Sequence, residues 1–237
     1  MCTVTYLPCA GQGFVLTSNR DESISRKSSL PPSKYNINNI SVFYPKDQQA
    51  EGTWIATAPN HFTLCLLNGA FQTHVHKPPY RKSRGLVLLD FFFYNSVDAY
   101  ISEYDYTDIE PFTMIVLNDQ RTMELFELRW DGDKLHHKRL DATLPYIWSS
   151  STLYKKEIVE QREQWFQEWL ELNPAHSPDQ VLSFHHFGGN GDAYNDLVMD
   201  TKEKKTVSIT SIIREEASRT IVYEDLVHKT EKRYCIY

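Results

Sequence analysis

The chain has 237 residues, of which 41% are hydrophobic and 13% aromatic, and its formal net charge is −6. This length suits one large globular domain, so we predict a single domain over residues 1–237. The acidic balance argues against nucleic acid binding driven by bulk charge, and the longest apolar run, residues 86–94, is too short to span a membrane.

The first predicted element is a β-hairpin, with strands at residues 3–8 and 13–18. Its second strand leads directly into the tetrapeptide Asn-Arg-Asp-Glu at residues 19–22. Because a hairpin returns the end of its second strand to the beginning of its first, we expect Arg20 and Asp21 to lie near Cys2. Taken alone, the tetrapeptide is better explained as a polar turn.

Alternation and apolar spacing predict the remaining elements in chain order. In the first part they give strands at 41–44, 53–58 and 62–68 after a loop at 26–40, a helix at 84–103, and strands at 112–118, 122–130 and 134–140. In the second part they give helices at 152–172 and 178–187, followed by strands at 196–200, 205–213 and 219–223. Ser151 or Thr152 suits the cap of the longer helix, and Pro178 suits the first turn of the other. This order predicts an α+β fold with mostly antiparallel strands and no linker.

Cys2 has the clearest catalytic potential. Removal of Met1 is expected because the second side chain is small, and it leaves a thiol and a free α-amine on one residue. The thiolate is the attacking form of cysteine, and an α-amine with a pKa of about 7.7–8.0 can accept a proton near neutral pH. One residue can then supply both nucleophile and general base. The alternative is a surface or strand cysteine without a chemical role.

The Met1-Cys2 start, the hairpin and the tetrapeptide at residues 19–22 together resemble the NRDE family, which is of the transport and Golgi organization protein 2 type. Residues 51–56 (EGTWIA), residues 62–68 (FTLCLLN) and the pair Arg84-Gly85 at a helix start agree with that family. The family is similar to the N-terminal-nucleophile hydrolases of the choloylglycine hydrolase and penicillin V acylase type. The resemblance implies a four-layer αββα sandwich of two antiparallel sheets.

The resemblance also implies a catalytic set of Cys2, Arg20, Asp21 and Asn68. Cys2 would be the nucleophile, with Arg20 favouring its thiolate and Asp21 orienting its α-amine. Asn68, at the end of a strand, would donate a hydrogen bond to the oxyanion. Judged without the resemblance, Asn68 is better explained as a left-handed turn residue. Glu22 is a candidate structural partner for Arg20.

Three further residues, Asn19, Trp54 and Ser150, are candidates for substrate binding or for the oxyanion site. Ser150 stands where many relatives carry an asparagine, and a serine hydroxyl donates one hydrogen bond over a shorter reach. Val207 stands where relatives often carry an arginine. Both departures weaken the expectation of acylase-type hydrolysis. They do not affect Cys2, Arg20 and Asp21, which match the family pattern.

Histidine pairs and one glycine-rich segment offer weaker alternatives. Side chains in the pairs at 136–137 and 185–186 diverge on any regular element, and His74 with His76 lacks a suitably spaced acidic or cysteine partner. No metal site is therefore predicted. The glycine-rich segment 187–192 lacks the lysine of a phosphate-binding loop, and we interpret it as a flexible loop near the site.

The four cysteines are widely spread, and no two of them form a CxxC pair; they are Cys2, Cys9, Cys65 and Cys235. No apolar segment that could act as a secretory signal precedes Cys2. Reduced thiols and a cytoplasmic location are therefore expected.

Two alternative functions follow from these observations. In the first, the chain is an N-terminal-cysteine amidohydrolase that cleaves a carbon–nitrogen amide bond of a small acylated substrate through a thioester. In the second, it is a non-catalytic carrier that holds a hydrophobic ligand, either haem or an acyl-lipid, on the same fold. The first needs no cofactor, and haem enters only as a ligand of the second. Neither function involves nucleic acid or a membrane span.

Overall fold

The computed structural model describes residues 3–152, 154–215 and 218–236. Its strands and helices, in chain order, are β1 (Thr3–Cys9), β2 (Gly13–Ser23), β3 (Leu30–Ile37), β4 (Ile40–Lys46), β5 (Ile55–Thr57), β6 (Phe62–Asn68), α1 (Arg84–Asp90), α2 (Val97–Glu103), β7 (Phe112–Asn118), β8 (Glu124–Trp130), β9 (Leu135–Leu140), β10 (Tyr146–Ser149), α3 (Lys156–Leu172), α4 (Pro178–Phe187), β11 (Lys204–Glu215), β12 (Ser218–Asp225) and β13 (Thr230–Ile236). Single 3₁₀ turns lie at Ala10–Gln12 and Phe91–Phe93.

These elements form two compact units. The first unit combines the residues up to Arg26 with those from Thr143 onward, and the second runs from Lys27 to Ala142. Each unit contains one antiparallel sheet. A single domain over residues 1–237 stays a prediction. Within the described ranges, no helix combines the length and the apolar character needed to cross a bilayer.

The sheet of the first unit has the strand order β10-β1-β2-β11-β12-β13, and its neighbouring strands are antiparallel. The predicted N-terminal hairpin forms two of its inner strands, with Thr3 paired to Asn19 and Cys9 paired to Gly13. Helices α3 and α4 pack on one face of this sheet. The shared core includes Leu7, Val15, Ile209, Phe166, Val181 and Phe184.

The sheet of the second unit is a meander with the order β3-β4-β5-β6-β7-β8-β9. Its central strand β6 is buried along nearly its whole length, and helix α1 packs against it. Phe62 and Phe91 meet there edge to face, with their ring centroids 4.9 Å apart. This geometry is the favoured one for an aromatic pair in a core.

A close backbone approach explains two of the sequence segments that indicated the family. A Cβ atom on Gly52 would lie 2.3 Å from the carbonyl carbon of Gly85, and a Cβ atom on Gly85 would lie 2.8 Å from the Thr53 oxygen. The Thr53 amide donates to the Gly85 carbonyl at 3.3 Å. The start of α1 therefore lies directly against the Gly-Thr-Trp segment, and only glycine fits at both contact points.

Several predicted boundaries are wrong. The region 26–40 contains strand β3, and residues 146–149 and 230–236 form the unpredicted strands β10 and β13. Residues 196–200 form no strand; only Asp200 makes an isolated bridge. The segment is instead held as a loop, because the Leu197 amide donates to the Gly188 carbonyl.

The two long predicted helices are also shorter than expected. The helix predicted at 84–103 is interrupted, because Tyr94 is extended and Ser96 caps a separate helix, α2. Helix α3 begins at Lys156 rather than at 152, so neither Ser151 nor Thr152 is its cap. Lys155 occupies the cap position and makes no side-chain cap hydrogen bond.

Candidate active site

The predicted site residues of the first unit lie at one end of its sheet. Pairing across four strands places Ser149, Thr3, Asn19 and Ile209 in one row. Cys2 precedes Thr3 in the sequence but lies outside the described residues, as does Met1. The predicted return of the hairpin is confirmed for Thr3, which lies opposite the first residue of the tetrapeptide.

Arg20 and Asp21 project from opposite faces of β2, because side chains alternate along a strand. Asp21 shares the face of Val15 and Asn19, which is covered by α3 and α4. Arg20 lies on the other face and is paired with Ser208 of β11. Both side chains are almost fully buried, with 2% of Arg20 and 3% of Asp21 exposed. The two charged groups therefore lie on opposite sides of β2.

The Asp21 carboxylate is held by two hydroxyl groups. Its Oδ2 accepts from the Tyr154 hydroxyl at 2.7 Å, and its Oδ1 accepts a short hydrogen bond from the Thr206 hydroxyl. The Thr206 oxygen in turn accepts from the Met199 amide at 2.8 Å. Hydrogen bonds to an ionised acceptor are stronger than neutral ones, so this carboxylate has a well-defined orientation.

The Arg20 guanidinium pairs with Glu22, as expected, at 3.1 Å between Nη2 and Oε1. Glu22 also lies 3.7 Å from Arg26. On the same face of the sheet, burial raises the pKa of Tyr223 to about 12, the Asp225 carboxylate adds to this rise, and the positive charge of Arg20 opposes it. Arg20 therefore provides a buried positive charge that favours anionic groups nearby.

Arg162 of α3 is fully buried beside the first residue of β1. Its Nη1 donates to Thr3 Oγ1 at 2.7 Å. Its Nε and Nη2 donate to the Asn195 carbonyl at 3.0 and 2.9 Å, and Nη2 also donates to the Asp196 carbonyl at 2.6 Å. The guanidinium carbon lies 3.8 Å from the centre of the Tyr154 ring. One side chain therefore joins α3, β1 and the loop before β11.

Asn19 links the hairpin to α4. Its Nδ2 donates to the carbonyls of His185 and Leu197 at 3.1 and 2.6 Å. Its Oδ1 lies 2.6 Å from His185 Nδ1, and His185 Nε2 lies 2.7 Å from Thr5 Oγ1. A neutral ring with its proton on Nδ1 satisfies both contacts, because the Thr5 hydroxyl then donates to Nε2. A role for Asn19 in substrate binding stays a prediction.

The environment of His185 keeps its ring neutral. Burial lowers its pKa to about 3, and the charges of His186 and Arg162 act in the same direction. His186 behaves in the opposite way, because its hydrogen bond to Glu224, 2.5 Å long, raises its pKa. The adjacent histidines therefore diverge, as predicted, and serve different partners.

The two positions that depart from the family pattern both lie in the first unit. Ser150 is fully buried just after β10, with its Oγ 3.2 Å from Thr152 Oγ1. Val207 lies at a β-bulge, where the pairing of β11 with β2 shifts between Thr206 and Ser208. A bulge places one extra residue outside the regular ladder and re-aims its neighbours. It is thus the bulge that lets Thr206 pair with Asp21 and Ser208 pair with Arg20.

In the second unit, Asn68 is the last residue of β6, paired with Phe112 and half-buried. Its neighbour Gly69 adopts the left-handed conformation, with φ of +80°, so the interpretation of Asn68 itself as the left-handed residue is wrong. The Gly69 amide donates to Pro111 O at 2.9 Å, and its carbonyl accepts from the Thr113 hydroxyl at 2.9 Å. The turn is therefore anchored by the neighbouring strand.

Trp54 precedes β5 and is buried, with 2% of its surface exposed. Its carbonyl accepts from the Leu66 amide at 2.8 Å, which extends the pairing with β6. Trp54 therefore belongs to the core of the second unit. Its proposed contact with a substrate stays a prediction, as does the oxyanion role of Asn68.

Two of the remaining histidines share a single carboxylate. His74 and His76 share one oxygen of Glu110 at 3.1 and 3.3 Å, and Arg84 binds the other oxygen at 3.1 Å. Within residues 3–152, 154–215 and 218–236, no group of three or more His, Cys, Asp and Glu side chains is placed to hold a metal ion.

Sequence reasoning missed Tyr154, Arg162, Thr206 and His185. Only Arg162 had a usable signal, because helical spacing puts it on the same stripe as the apolar side chains of α3, one turn from Ile158 and from Phe166. A charged residue on a buried stripe indicates a specific partner. The other three come from segments whose position relative to β2 depends on the tertiary fold.

Comparisons with known proteins agree with this geometry. A sequence profile of the family described as Transport and Golgi organisation 2 matches residues 1–228. A comparison with curated proteins finds no match. Among solved structures, a variant of conjugated bile acid hydrolase from Clostridium perfringens is similar, with a TM-score of 0.57 and 10% identity over 98% of this chain and 92% of that one.

Two further solved structures are similar to the chain. Penicillin V acylase from Agrobacterium tumefaciens has a TM-score of 0.57 and 9% identity, over 99% of this chain and 86% of that one. The Caenorhabditis elegans ortholog of N-acylethanolamine-hydrolyzing acid amidase has a TM-score of 0.51 and 14% identity, over 89% of this chain and 92% of that one. At such identities the likeness shows the fold alone, and it confirms the predicted α+β class of the N-terminal-nucleophile hydrolases with two antiparallel sheets.

Proposed function

The chain belongs to the Transport and Golgi organisation 2 family, and we propose that it is an amide hydrolase whose nucleophile is the thiol of Cys2. The observation that carries this proposal is the pairing of Thr3 with Asn19. Consecutive Cα atoms lie about 3.8 Å apart, so the covalent bond to Thr3 supports the proposal that Cys2 comes within reach of Arg20 and Asp21. The guanidinium and the carboxylate project from opposite faces of the strand, so one can serve the thiol and the other the α-amine of a single terminal residue.

The proposed reaction has two halves, and Cys2 must be the terminal residue for both. In the first, the α-amine takes the thiol proton, the thiolate attacks the amide carbon, and the departing amine receives that proton as the carbon–nitrogen bond breaks. In the second, water attacks the thioester carbon and gives a proton to the α-amine, the carbon–sulfur bond breaks to release the acid, and the protonated α-amine returns the proton to the sulfur to restore the free thiol. Asn68 and Ser150 are the proposed donors to the oxyanion in each half.

The proposed substrate is a small N-acyl amide. The similar solved structures are named as a hydrolase of conjugated bile acid, an N-acylethanolamine-hydrolyzing amidase and a penicillin V acylase. Their shared fold supports amide hydrolysis as the reaction class. Because Ser150 and Val207 differ from the family pattern, the experiment must identify which acyl group and which amine the substrate contains.

The test starts from the intact mass of the untagged protein and from limited alkylation with iodoacetamide. The chain offers internal references, because Cys235 is exposed, Cys65 is buried, and burial together with Glu215 raises the pKa of the Cys9 thiol. We expect loss of Met1 and faster alkylation of Cys2 than of Cys235. Incubation with a panel of N-acyl amides should then add an acyl mass to the wild-type protein.

Two variants complete this test. Cys2→Ala should abolish both the acyl adduct and amide cleavage, whereas Cys235→Ser should change neither. Retention of Met1, a Cys2 no faster than Cys235, or cleavage that survives in Cys2→Ala would each contradict the proposal.

The second candidate is a non-catalytic carrier of haem or an acyl-lipid, and the departures at Ser150 and Val207 favour it. Titration with haemin followed by absorbance, and thermal unfolding with added acyl-coenzyme A, measure saturable binding directly. Saturable binding by a protein with an unreactive Cys2 would support the carrier. Absence of binding for both ligands would remove it.

The proposal includes a cytoplasmic location, where thiols are kept reduced. Cys9, Cys65 and Cys235 are free thiols in the structure. Imaging of the untagged protein with an antibody, against a cytoplasmic marker, measures the location.

A further inference from the structure

Two side chains outside the family tetrapeptide hold the strand residues that flank the proposed nucleophile. We propose that Arg162 and Tyr154 are positioning residues for Cys2, with Arg162 fixing Thr3 and Tyr154 fixing Asp21. This inference rests on the proposed function, because the role assigned is to present the thiol and α-amine of Cys2.

Arg162 acts one residue away from Cys2. Its 2.7 Å bond to Thr3 Oγ1 is one branch of a fork whose other branches reach the carbonyls of Asn195 and Asp196 at 2.6–3.0 Å. A planar guanidinium bound at three points has little freedom to rotate. The Thr3 side chain is therefore held against a rigid anchor in α3, in addition to the backbone pairing of β1 on both of its sides.

Tyr154 connects this anchor to the tetrapeptide. Its ring lies under the Arg162 guanidinium at 3.8 Å, which is well inside the range of a cation–π contact. Its hydroxyl donates to Asp21 Oδ2 at 2.7 Å, and Thr206 occupies Oδ1. The carboxylate that is proposed to orient the α-amine is thus fixed on both of its oxygen atoms.

The composition of this network favours positioning over simple packing. Arg162 occupies the buried stripe of α3 next to Phe166, where an apolar side chain would satisfy the core. Among the residues that the structure describes, its guanidinium donates to one hydroxyl and two carbonyls, and burial of a charge that is bound by neutral groups is costly. What the arginine adds is a set of directed bonds, which tie the Thr3 side chain to the loop carbonyls of Asn195 and Asp196.

The experiment measures alkylation of Cys2 relative to the exposed Cys235 in the same full-length molecule, across the neutral pH range. Mass spectrometry of the two cysteine peptides after brief iodoacetamide treatment gives the ratio of rate constants and its pH profile. The variants are Thr3→Val, Tyr154→Phe, Arg162→Met and Arg162→Lys. Phe166→Leu is the matched control, because it alters a buried side chain on the same helix that takes no part in the network.

We expect Thr3→Val and Tyr154→Phe each to lower the Cys2 to Cys235 ratio by about tenfold and to shift its pH profile, since a misplacement of about 1 Å carries effects of this size or larger. Arg162→Met should lower the ratio most, and Arg162→Lys should recover part of it, because lysine keeps the charge but lacks the fork. Phe166→Leu should leave the ratio and the profile unchanged.

The outcomes separate this inference from the proposed function. Folded Thr3→Val and Tyr154→Phe proteins with the wild-type ratio and profile would overturn the positioning role, even if Arg162→Met fails to fold. Each of these two variants removes a single hydroxyl, and circular dichroism verifies their folding. A wild-type Cys2 that is no faster than Cys235 would instead remove the proposed function, and the positioning role with it.

Discussion

The two strand ends that carry predicted site residues are built in different ways. At the end of β2, in the first unit, Asp21 is held by hydroxyl groups of Tyr154 and Thr206, which lie 133 and 185 residues away in the sequence. At the end of β6, in the second unit, Gly69 is held by Pro111 and Thr113 of the adjoining strand region. The first end depends on side chains from several distant segments, and the second depends on one neighbouring strand.

This difference predicts how the two ends respond to substitution. A buried charged group with several distant partners loses many contacts at once when it is changed. A turn that is anchored by backbone hydrogen bonds and one hydroxyl group loses only the single interaction that the substitution removes. Substitutions at the end of β2 should therefore cost more stability and also alter the chemistry of Cys2, whereas substitutions near Gly69 should cost about one hydrogen bond or one strained residue.

The largest effect is expected for Asp21→Asn. The amide cannot accept from both Tyr154 and Thr206 as the carboxylate does, and hydrogen bonds to charged groups contribute about 1.5–3 kcal/mol each. We expect the free energy of unfolding to fall by about 3 kcal/mol in urea denaturation, and the selective alkylation of Cys2 to be lost. Asp200→Asn is the control, because that carboxylate is 65% exposed. An equal loss in both variants would contradict the comparison.

The second prediction concerns His185, which links α4 to β2. Replacing it in His185→Gln should change how the free energy of unfolding depends on pH. In the folded protein the His185 pKa is lowered to about 3, whereas the unfolded chain has the ordinary value of 6.5. Between these values the unfolded state binds more protons, so stability falls as pH falls. The wild-type protein should lose about 2 kcal/mol more than His185→Gln between about pH 7 and about pH 5.

Denaturation of both proteins at several pH values measures this difference. Parallel curves for wild type and His185→Gln would show that His185 is not kept neutral by burial.

Gly69→Ala addresses the end of β6. The φ of +80° at Gly69 is unfavourable for a residue with a Cβ atom, at a cost of about 1–2 kcal/mol. We expect that loss of unfolding free energy by thermal and urea denaturation. Gly69→Asn is the matched comparison, since asparagine tolerates the left-handed region, and its loss should be smaller. Equal losses of unfolding free energy in the two variants would mean that steric contact of the new side chain, and not the backbone conformation, disfavours substitution of Gly69.

The smallest effect is expected for Thr113→Val. It removes the 2.9 Å hydrogen bond to the Gly69 carbonyl, and a typical neutral hydrogen bond contributes about 1 kcal/mol. Thr113→Ser keeps the hydroxyl and should retain most of that energy. A loss for Thr113→Val as large as that of Asp21→Asn would remove the contrast between the two strand ends.

The strands that sequence analysis missed are at the edges of the two sheets. β3 is an edge of the seven-stranded sheet, and β10 and β13 are the two edges of the other. β13 exposes most of its residues and β10 has only four, so neither shows a clear alternation of buried and exposed positions. β3 was missed because Pro31 and Pro32 lie inside it, and proline within a run of residues counts against a strand prediction.

The amino-acid sequence by itself determined the family, the α+β class, the N-terminal hairpin and most central strands, because local alternation and turn residues specify these features within a few residues. It also placed Asn19, Arg20 and Asp21 directly after the second hairpin strand, predicted at 13–18, whereas β2 continues through them to Ser23, so the interpretation of the tetrapeptide as a polar turn is wrong. Only the tertiary structure decided that Arg20 and Asp21 serve opposite faces, and that Arg162 and Tyr154 hold Thr3 and Asp21. Those contacts join residues more than a hundred positions apart, and their geometry depends on how helices and strands pack, which no local pattern encodes.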